Sequence, residues 1–551
     1  MEFAELIATP KLDGVILHTQ TSEPVEGTLC ITGHHLILSS RREGVQELWL
    51  LHHAIDVVEQ KQTMPQQGGL ITLKCKDLRI ISLEINQQLE FLNVAKSIEQ
   101  LSKLNSQQYL YPFFYRPMYT ILEDGYTIFR CELEFAKLLA TDEWRITHIN
   151  RDFSVCPTYG AKLVVPKSIT DEEIIQSAAF RDGGRFPVIS YRHDNGAFLL
   201  RSAQPSSAAN NKRCRADEAI LNVILGRSKK GFIVDTWSKG KSNSETDQHY
   251  NQWRKVTRSI GNLPHVSNIL HSFSKLIEAC NDTSCSTDKW FDRLENSNWL
   301  TLVLNSLNAA CVVAQCLDQE GSPCLVHGSK GMDSTLIVTS LVQIILNPDC
   351  RTVRGIQALI EREWIQAGFP FATRHKYSCY TPSQTRQKTS ASTFVLFLDS
   401  VYQLHCQFPF SFEFNTQMLI LLYEHSFFSS YGTFLGDSER ERQAIKLHSR
   451  TTSLWSYLNR PDVLKSLLNP MYEPNQGVIW PSVAPISLEL WTELYLRWVI
   501  DQTQTKNMFH QIQALITREK EMRTKAVKLR NELIALTKEY NETVVNETEN
   551  N

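Results

Sequence analysis

The stretch Leu325-Val-His-Gly-Ser-Lys-Gly-Met-Asp-Ser-Thr-Leu336 constrains this chain most. A short apolar run enters a glycine- and serine-bearing loop, and the segment from Thr335 to Leu346 leaves it with helical patterning. A strand, such a loop and a helix N-terminus form a phosphate cradle. The loop N–H groups converge there and the helix dipole favours an anion. The expectation is an α/β domain with residues 327–335 at its functional edge.

Length and composition set bounds on the rest. A chain of 551 residues makes roughly three to four domain-sized units, fewer if one is large. With 42% hydrophobic and 21% charged residues it can bury a sizeable core. A net charge of -2 gives no bulk field for nucleic acid, so no nucleic-acid partner is expected and membrane contact must come from local patches. The N-terminal Met-Glu-Phe-Ala-Glu-Leu lacks a basic region and a long apolar core, so no secretory leader is expected. The 13 cysteines are scattered, which suits reduced thiols. Cys280 and Cys285 have no partners at zinc spacing, and neither a metal nor a cofactor is expected.

Cysteine-dependent phosphatases carry His-Cys-x5-Arg on a turn of this kind. The thiolate attacks phosphorus, its pKa lowered by the helix end, and the arginine clamps the phosphoryl oxygens. In this chain Gly328 stands at the Cys position and Ser334 at the Arg position. The loop resembles that of the myotubularin family, whose signature reads His-Cys-Ser-Asp-Gly-Trp-Asp-Arg-Thr. His327, Ser329, Gly331, Asp333 and Thr335 match it; Gly328, Lys330, Met332 and Ser334 depart. Further blocks resemble that family in order from Trp144 to Trp498. Among them are Gly184-Arg-Phe-Pro-Val-Ile-Ser-Tyr191, Leu359-Ile-Glu-Arg-Glu-Trp364 and Leu490-Trp-Thr-Glu-Leu-Tyr-Leu-Arg-Trp498. Asp235 is kept from the pocket segment of active members and little else beside it.

The resemblance implies an α+β protein in three parts. Residues 1–105 would be a pleckstrin-homology-like GRAM β-barrel with a capping helix. Residues 106–125 would be a linker and 126–500 a cysteine-phosphatase-like α/β domain without activity. The barrel is also read from the residues themselves: short strands at 27–32, 36–40, 47–51, 69–75 and 78–85 precede a helix carrying Leu89, Leu92, Val94, Ala95, Ile98 and Leu101. In the family that module contacts phosphoinositides. The basic clusters Arg41/Arg42 and Lys74/Lys76/Arg79 would serve that role, or be ordinary solvated charge. Lys330 would either hold an anion without turning it over or be a solvated lysine on a relic loop. Asp333 reads as a loop-organising acceptor, since a proton donor without a nucleophile hydrolyses nothing by this route. Cys324 reads as a small core residue.

Past Trp498 the residues Met508, Leu515, Met522, Leu529 and Leu536 recur every seven positions, with Ile512, Ala526, Leu533 and Tyr540 at the second seam position and Glu519 as its flaw. That period over 508–542, free of Pro and Gly, predicts a coiled coil. In this register Arg518 and Lys525 would face Arg523 and Arg530 in a parallel homodimer. Like charges there bias pairing toward an acidic partner helix, or toward an antiparallel arrangement. The resemblance to the inactive branch of the family then implies a non-enzymatic subunit. It would pair with active myotubularin phosphatases and raise their stability, location or activity toward 3-phosphorylated phosphoinositides, in the cytoplasm and peripherally on endomembranes. The alternative is a phosphoinositide-binding membrane adaptor; a working enzyme without the cysteine is the third and weakest reading.

Overall fold

The computed structural model describes residues 3–499 apart from 21, 43, 45, 63–66, 105, 207–212, 227, 229, 237–248, 262–265 and 283–285, together with 518, 519 and 521–539 of the tail. Residues through Trp498, apart from Gln20–Ser22, form one compact unit, and the tail belongs to a second.

The chain opens with seven antiparallel strands: β1 (Lys11–Thr19), β2 (Val25–Ile31), β3 (His35–Ser39), β4 (Leu48–Leu51), β5 (Ile55–Gln62), β6 (Gly69–Cys75) and β7 (Ile80–Ile85). They run in the order β4-β3-β2-β1-β7-β6-β5. Alternate residues point inward, as in β6, where Gly69, Ile71, Leu73 and Cys75 are buried and the residues between them are not. Helix α1 (Gln88–Ser102) closes the sheet with Phe91, Val94, Ala95, Ile98 and Leu101. Leu89 and Leu92, expected on that face, are exposed, and Phe91 takes the inward position. Two strands escape the periodic reading. β1 is broken by Gly14, at φ +72° where its register with β2 shifts; β5 ends in the exposed polar run Glu-Gln-Lys-Gln.

The larger part is built on five strands, β10 (Val188–Arg192), β11 (Phe198–Ser202), β12 (Gly231–Asp235), β13 (Trp253–Thr257) and β14 (Cys324–His327), after a separate antiparallel pair, β8 (Trp144–Thr147) and β9 (Leu163–Pro166). Their order is β10-β11-β14-β12-β13. β14 lies in the middle, parallel to both β11 and β12, and β10 is the one antiparallel edge. All four residues of β14 are buried, as a strand covered by helices on both faces requires. Helix α2 (Trp299–Asp318) leads into it and α3 (Ser334–Leu346) leaves it, every residue of α3 being buried. α2 is long and apolar enough to span a membrane, yet eleven of its residues, Trp299 and Leu317 among them, are buried in the core. Helix α4 (Thr393–Gln407) packs on both. Its buried Asp399 accepts from Trp299 Nε1 at 2.7 Å and from the Tyr495 hydroxyl at 2.6 Å, tying α2 to the end of the compact unit.

The β6–β7 turn is a docking element. Leu78, at φ +74°, buries its side chain in the core of the larger part. Tyr423 and Tyr380 donate hydroxyl hydrogen bonds to the carbonyls of Lys76 and Leu78, both at 2.7 Å, and Trp498 Nε1 donates to that of Asp77 at 2.9 Å. This corrects the reading of two candidate lipid contacts. Lys76 is 3% exposed, and desolvation pulls its ammonium pKa down to about 8. Arg79 bonds Asp77 at 2.7 Å and lies over the Trp498 ring. Both face the larger domain rather than a membrane, because the turn they flank is the seam between the two sheets' cores.

A candidate relic phosphate loop

The loop at 328–333 sits at the carboxyl edge of the parallel strands, where β11, β14 and β12 end together. Ser202 and Asp235 both pair with His327 in register. Its path needs two residues in the left-handed region, Ser329 at φ +40° and Gly331 at φ +66°. Only glycine fits the second, since a Cβ there would lie 2.5 Å from the carbonyl oxygen of Ser202. A tight turn closes the loop, with Gly331 N–H donating to the Gly328 carbonyl at 2.6 Å.

Neighbours hold this path from both sides. Gln204 N–H donates to the Ser329 carbonyl at 3.0 Å. Arg185, fully buried, donates from Nη2 to the Gly331 carbonyl at 2.8 Å and from Nη1 to Ala367 O and Thr158 Oγ1. Burial lowers its pKa, which the Tyr159 ring beneath it only partly offsets. Arg374 grips Asp333 with two parallel bonds, Nε to Oδ1 at 3.0 Å and Nη2 to Oδ2 at 2.9 Å, and Thr393 Oγ1 donates to Oδ1 at 2.9 Å. Burial works against the Arg374 charge, but the Asp333 carboxylate outweighs it and the pKa rises. Asp333 is therefore spent on the scaffold, as an organising acceptor would be.

The expected site residues come together, with different surroundings. Gly328 is buried and presents no side chain; Ser334 is buried and shares a hydrogen bond with Thr236 Oγ1 at 2.8 Å. His327 is 6% exposed, and its carbonyl accepts from the Thr236 N–H and hydroxyl. Thr335 is buried in α3, Met332 is half-buried, and Lys330 is exposed at the loop's tip. Cys324 lies fully buried in β14, and burial pushes its thiol pKa well above the ordinary value, so it offers no thiolate. Among the other lipid candidates Lys74 bonds Glu59 at 2.6 Å, and Arg41 and Arg42 are exposed. The residues that hold the loop, Arg185, Arg374 and Thr393, escape sequence reasoning. They lie far from it along the chain, and although Arg185 falls in the family-like block 184–191, nothing in these segments points to the loop.

The tail carries the remaining candidates. Met508, Ile512 and Leu515 lie outside the described residues. Residues 521–539 are helical, with Met522, Leu529, Leu533 and Leu536 each more than 60% exposed. Arg523 bonds Glu519 one turn earlier, at 2.6 Å.

Comparison with known proteins agrees with this architecture. The myotubularin-like phosphatase domain model matches residues 110–443 and a GRAM domain model of the MTMR6-9 type matches 12–102. Myotubularin-related protein 9 of Mus musculus is 49% identical over 97% of this chain and 99% of its own length. The protein of that name from Caenorhabditis elegans is 39% identical over 98% and 99%. The phosphatidylinositol-3-phosphate phosphatase MTMR7 of Homo sapiens is 32% identical over 90% of this chain and 77% of its own. With a GRAM module, a phosphatase-type sheet and its loop in family order, the chain belongs to the myotubularin family.

Proposed function

We propose that this protein is a pseudophosphatase that acts as the regulatory subunit of an active myotubularin, paired through its tail helix. One observation carries the first half. The loop keeps the path of a phosphate cradle, but Gly328 stands where a nucleophile is needed, and the nearest thiol in the strand, Cys324, is buried and protonated. Phosphoryl transfer by the cysteine-dependent route requires a thiolate at the mouth of the loop and an arginine on the transferred group. Here the one arginine paired to the loop's carboxylate, Arg374, is already occupied. The exposed stripe Met522, Leu529, Leu533 and Leu536 supports the second half, because helices in proteins draw most of their stability from packing an apolar face, and this one calls for a partner helix. Binding the folded partner would stabilise it by mass action, and a second membrane-facing module would add avidity. Kinship with MTMR7 and MTMR8 makes such phosphatases the natural class of partner.

The test is co-purification of an active myotubularin with the full chain and with a version ending at Trp498. Recovery with the full chain alone supports the reading; equal recovery moves the contact to the globular part. The second reading, a phosphoinositide adaptor, is favoured by Lys330, a cation exposed at the tip of the loop. It predicts headgroup affinity that Lys330→Glu abolishes, with no phosphatase recovered in either sample.

A further inference from the structure

A cavity of about 720 Å³ lies apart from the loop, and none of residues 327–335 lines it. One wall comes from the helix Glu439–Ala444, which carries Arg442. That side chain is 5% exposed. Among the described residues its guanidinium forms no hydrogen bond and no ion pair, and its Nε is buried without a partner. A buried guanidinium without a bonded partner is costly, because charges at a distance repay its desolvation only in part. Burial lowers its pKa accordingly.

The neighbouring carboxylates repay that cost only in part: Glu361, Glu439 and Asp437 favour the Arg442 charge from a distance, none bonds it, and burial still prevails. Glu439 accepts from Ala161 N–H at 3.1 Å and from Gln443 Nε2 at 2.9 Å. Glu132 is bonded to Lys162. Glu361 accepts from Trp455 Nε1 at 2.6 Å, and burial pushes its carboxyl up to about 7, so it is only partly ionised at neutral pH. Arg130 and Arg151 line the same cavity, are exposed, and form no ion pair among the described residues. Tyr126 and His448, stacked with ring centroids 4.4 Å apart, give it an aromatic wall. The committed groups are thus the acids, and the uncommitted ones are arginines.

We propose that this cavity is an anion site, separate from the relic loop, that takes a phosphate group borne on a small molecule or a lipid headgroup, with Arg442 as its buried anchor and Arg151 at its rim. A guanidinium presents a fork of donors that matches phosphate oxygens.

The test uses the purified full chain, with sodium pyrophosphate as the soluble probe, and vesicles carrying phosphatidylinositol 3-phosphate as the membrane probe. Thermal unfolding and calorimetric titration are read on the wild type and on Arg442→Met, Glu361→Gln and Lys330→Glu. Pyrophosphate, or the vesicles if the source is a lipid, binds the wild type and Lys330→Glu alike and fails to bind Arg442→Met. Without ligand, Arg442→Met melts no lower than wild type, since it removes a buried charge whose desolvation its neighbours do not fully repay. Glu361→Gln, which keeps the Trp455 bond and removes the facing charge, binds several-fold more tightly. Should Arg442→Met not fold, that tightening still decides the matter. Neither probe binding the wild type, binding that survives Arg442→Met, binding lost with Lys330→Glu instead, or unchanged affinity in Glu361→Gln overturns the proposal.

Discussion

Arg374 and Asp333 meet through two parallel hydrogen bonds, 2.9 and 3.0 Å long, in a place where neither side chain is more than 9% exposed. The pair converts the start of α3 into a fixed part of the domain. In a working phosphatase the acid of this loop would have to face the substrate. Here it faces an arginine and a threonine, which hold it as part of the loop's frame.

Breaking one side of that pair exposes its worth. Asp333→Asn leaves Arg374 buried beside a neutral amide and is expected to cost roughly 3–5 kcal/mol in chemical denaturation. Arg374→Met combined with Asp333→Asn should cost clearly less than the sum of the two single changes, because the second change removes the stranded charge. Additive losses would mean that the two side chains do not act together.

Gly331 and Gly321 allow a controlled comparison. Both have positive φ, +66° and +59°, but a Cβ at Gly321 meets open space while one at Gly331 meets the Ser202 carbonyl. Gly321→Ala is expected to cost about 1 kcal/mol, the conformational term alone. Gly331→Ala should cost appreciably more and shift the loop, visible as lost protection of the Gln204 amide in hydrogen exchange.

Much of this was legible in the sequence, and the reasons for the rest are local. The strand–loop–helix order was readable because a glycine-bearing turn and helix entry are written in neighbouring residues; Gly331 and Asp333 were marked by the loop's resemblance to the family signature. The central strand β14 was readable from its apolar run. β1 was not, because Gly14 breaks its alternation, and neither was β5, whose second half is exposed and polar. Lys76 and Arg79 looked like a basic patch because composition shows charge but not which turn is docked. The φ of Leu78 and the hydroxyls of Tyr380 and Tyr423 decide that, from more than 300 residues away. A separation of 41 residues likewise hides the pairing of Arg374 with Asp333 from any local reading of the loop.

Buried Lys76 leads to a stability prediction. Its pKa falls from 10.5 to about 8 on burial, so its charged form is disfavoured in the folded state and the penalty is fully present at neutral pH. Stability should rise with pH between about 8 and 10.5 on this account. Lys76→Met should stabilise the protein at pH 7 by on the order of 3 kcal/mol and remove that rise. A destabilised Lys76→Met would show that the ammonium is compensated in the seam.

Buried histidines give a slope of the same sign at lower pH. Desolvation holds His52, His375 and His425 at about 4, below the ordinary 6.5. His375 stacks on Phe427 at 4.2 Å and bonds the Ser426 carbonyl through Nδ1, an arrangement suited to the neutral ring. Below pH 6.5 the unfolded chain takes up protons that the folded chain refuses, so stability falls progressively from about 6.5 to about 4. His375→Phe should flatten that slope in a pH series of thermal melts.

The most direct measurement is phosphate release from vesicles of phosphatidylinositol 3-phosphate by an active myotubularin. It is made with the relative alone, with this full chain added, and with a version ending at Trp498 added. The account predicts no release by this chain alone, a higher rate from the relative with the full chain, and no increase with the shortened one. Release by this chain alone that is lost when the loop is altered, or an equal increase from both versions, would contradict it.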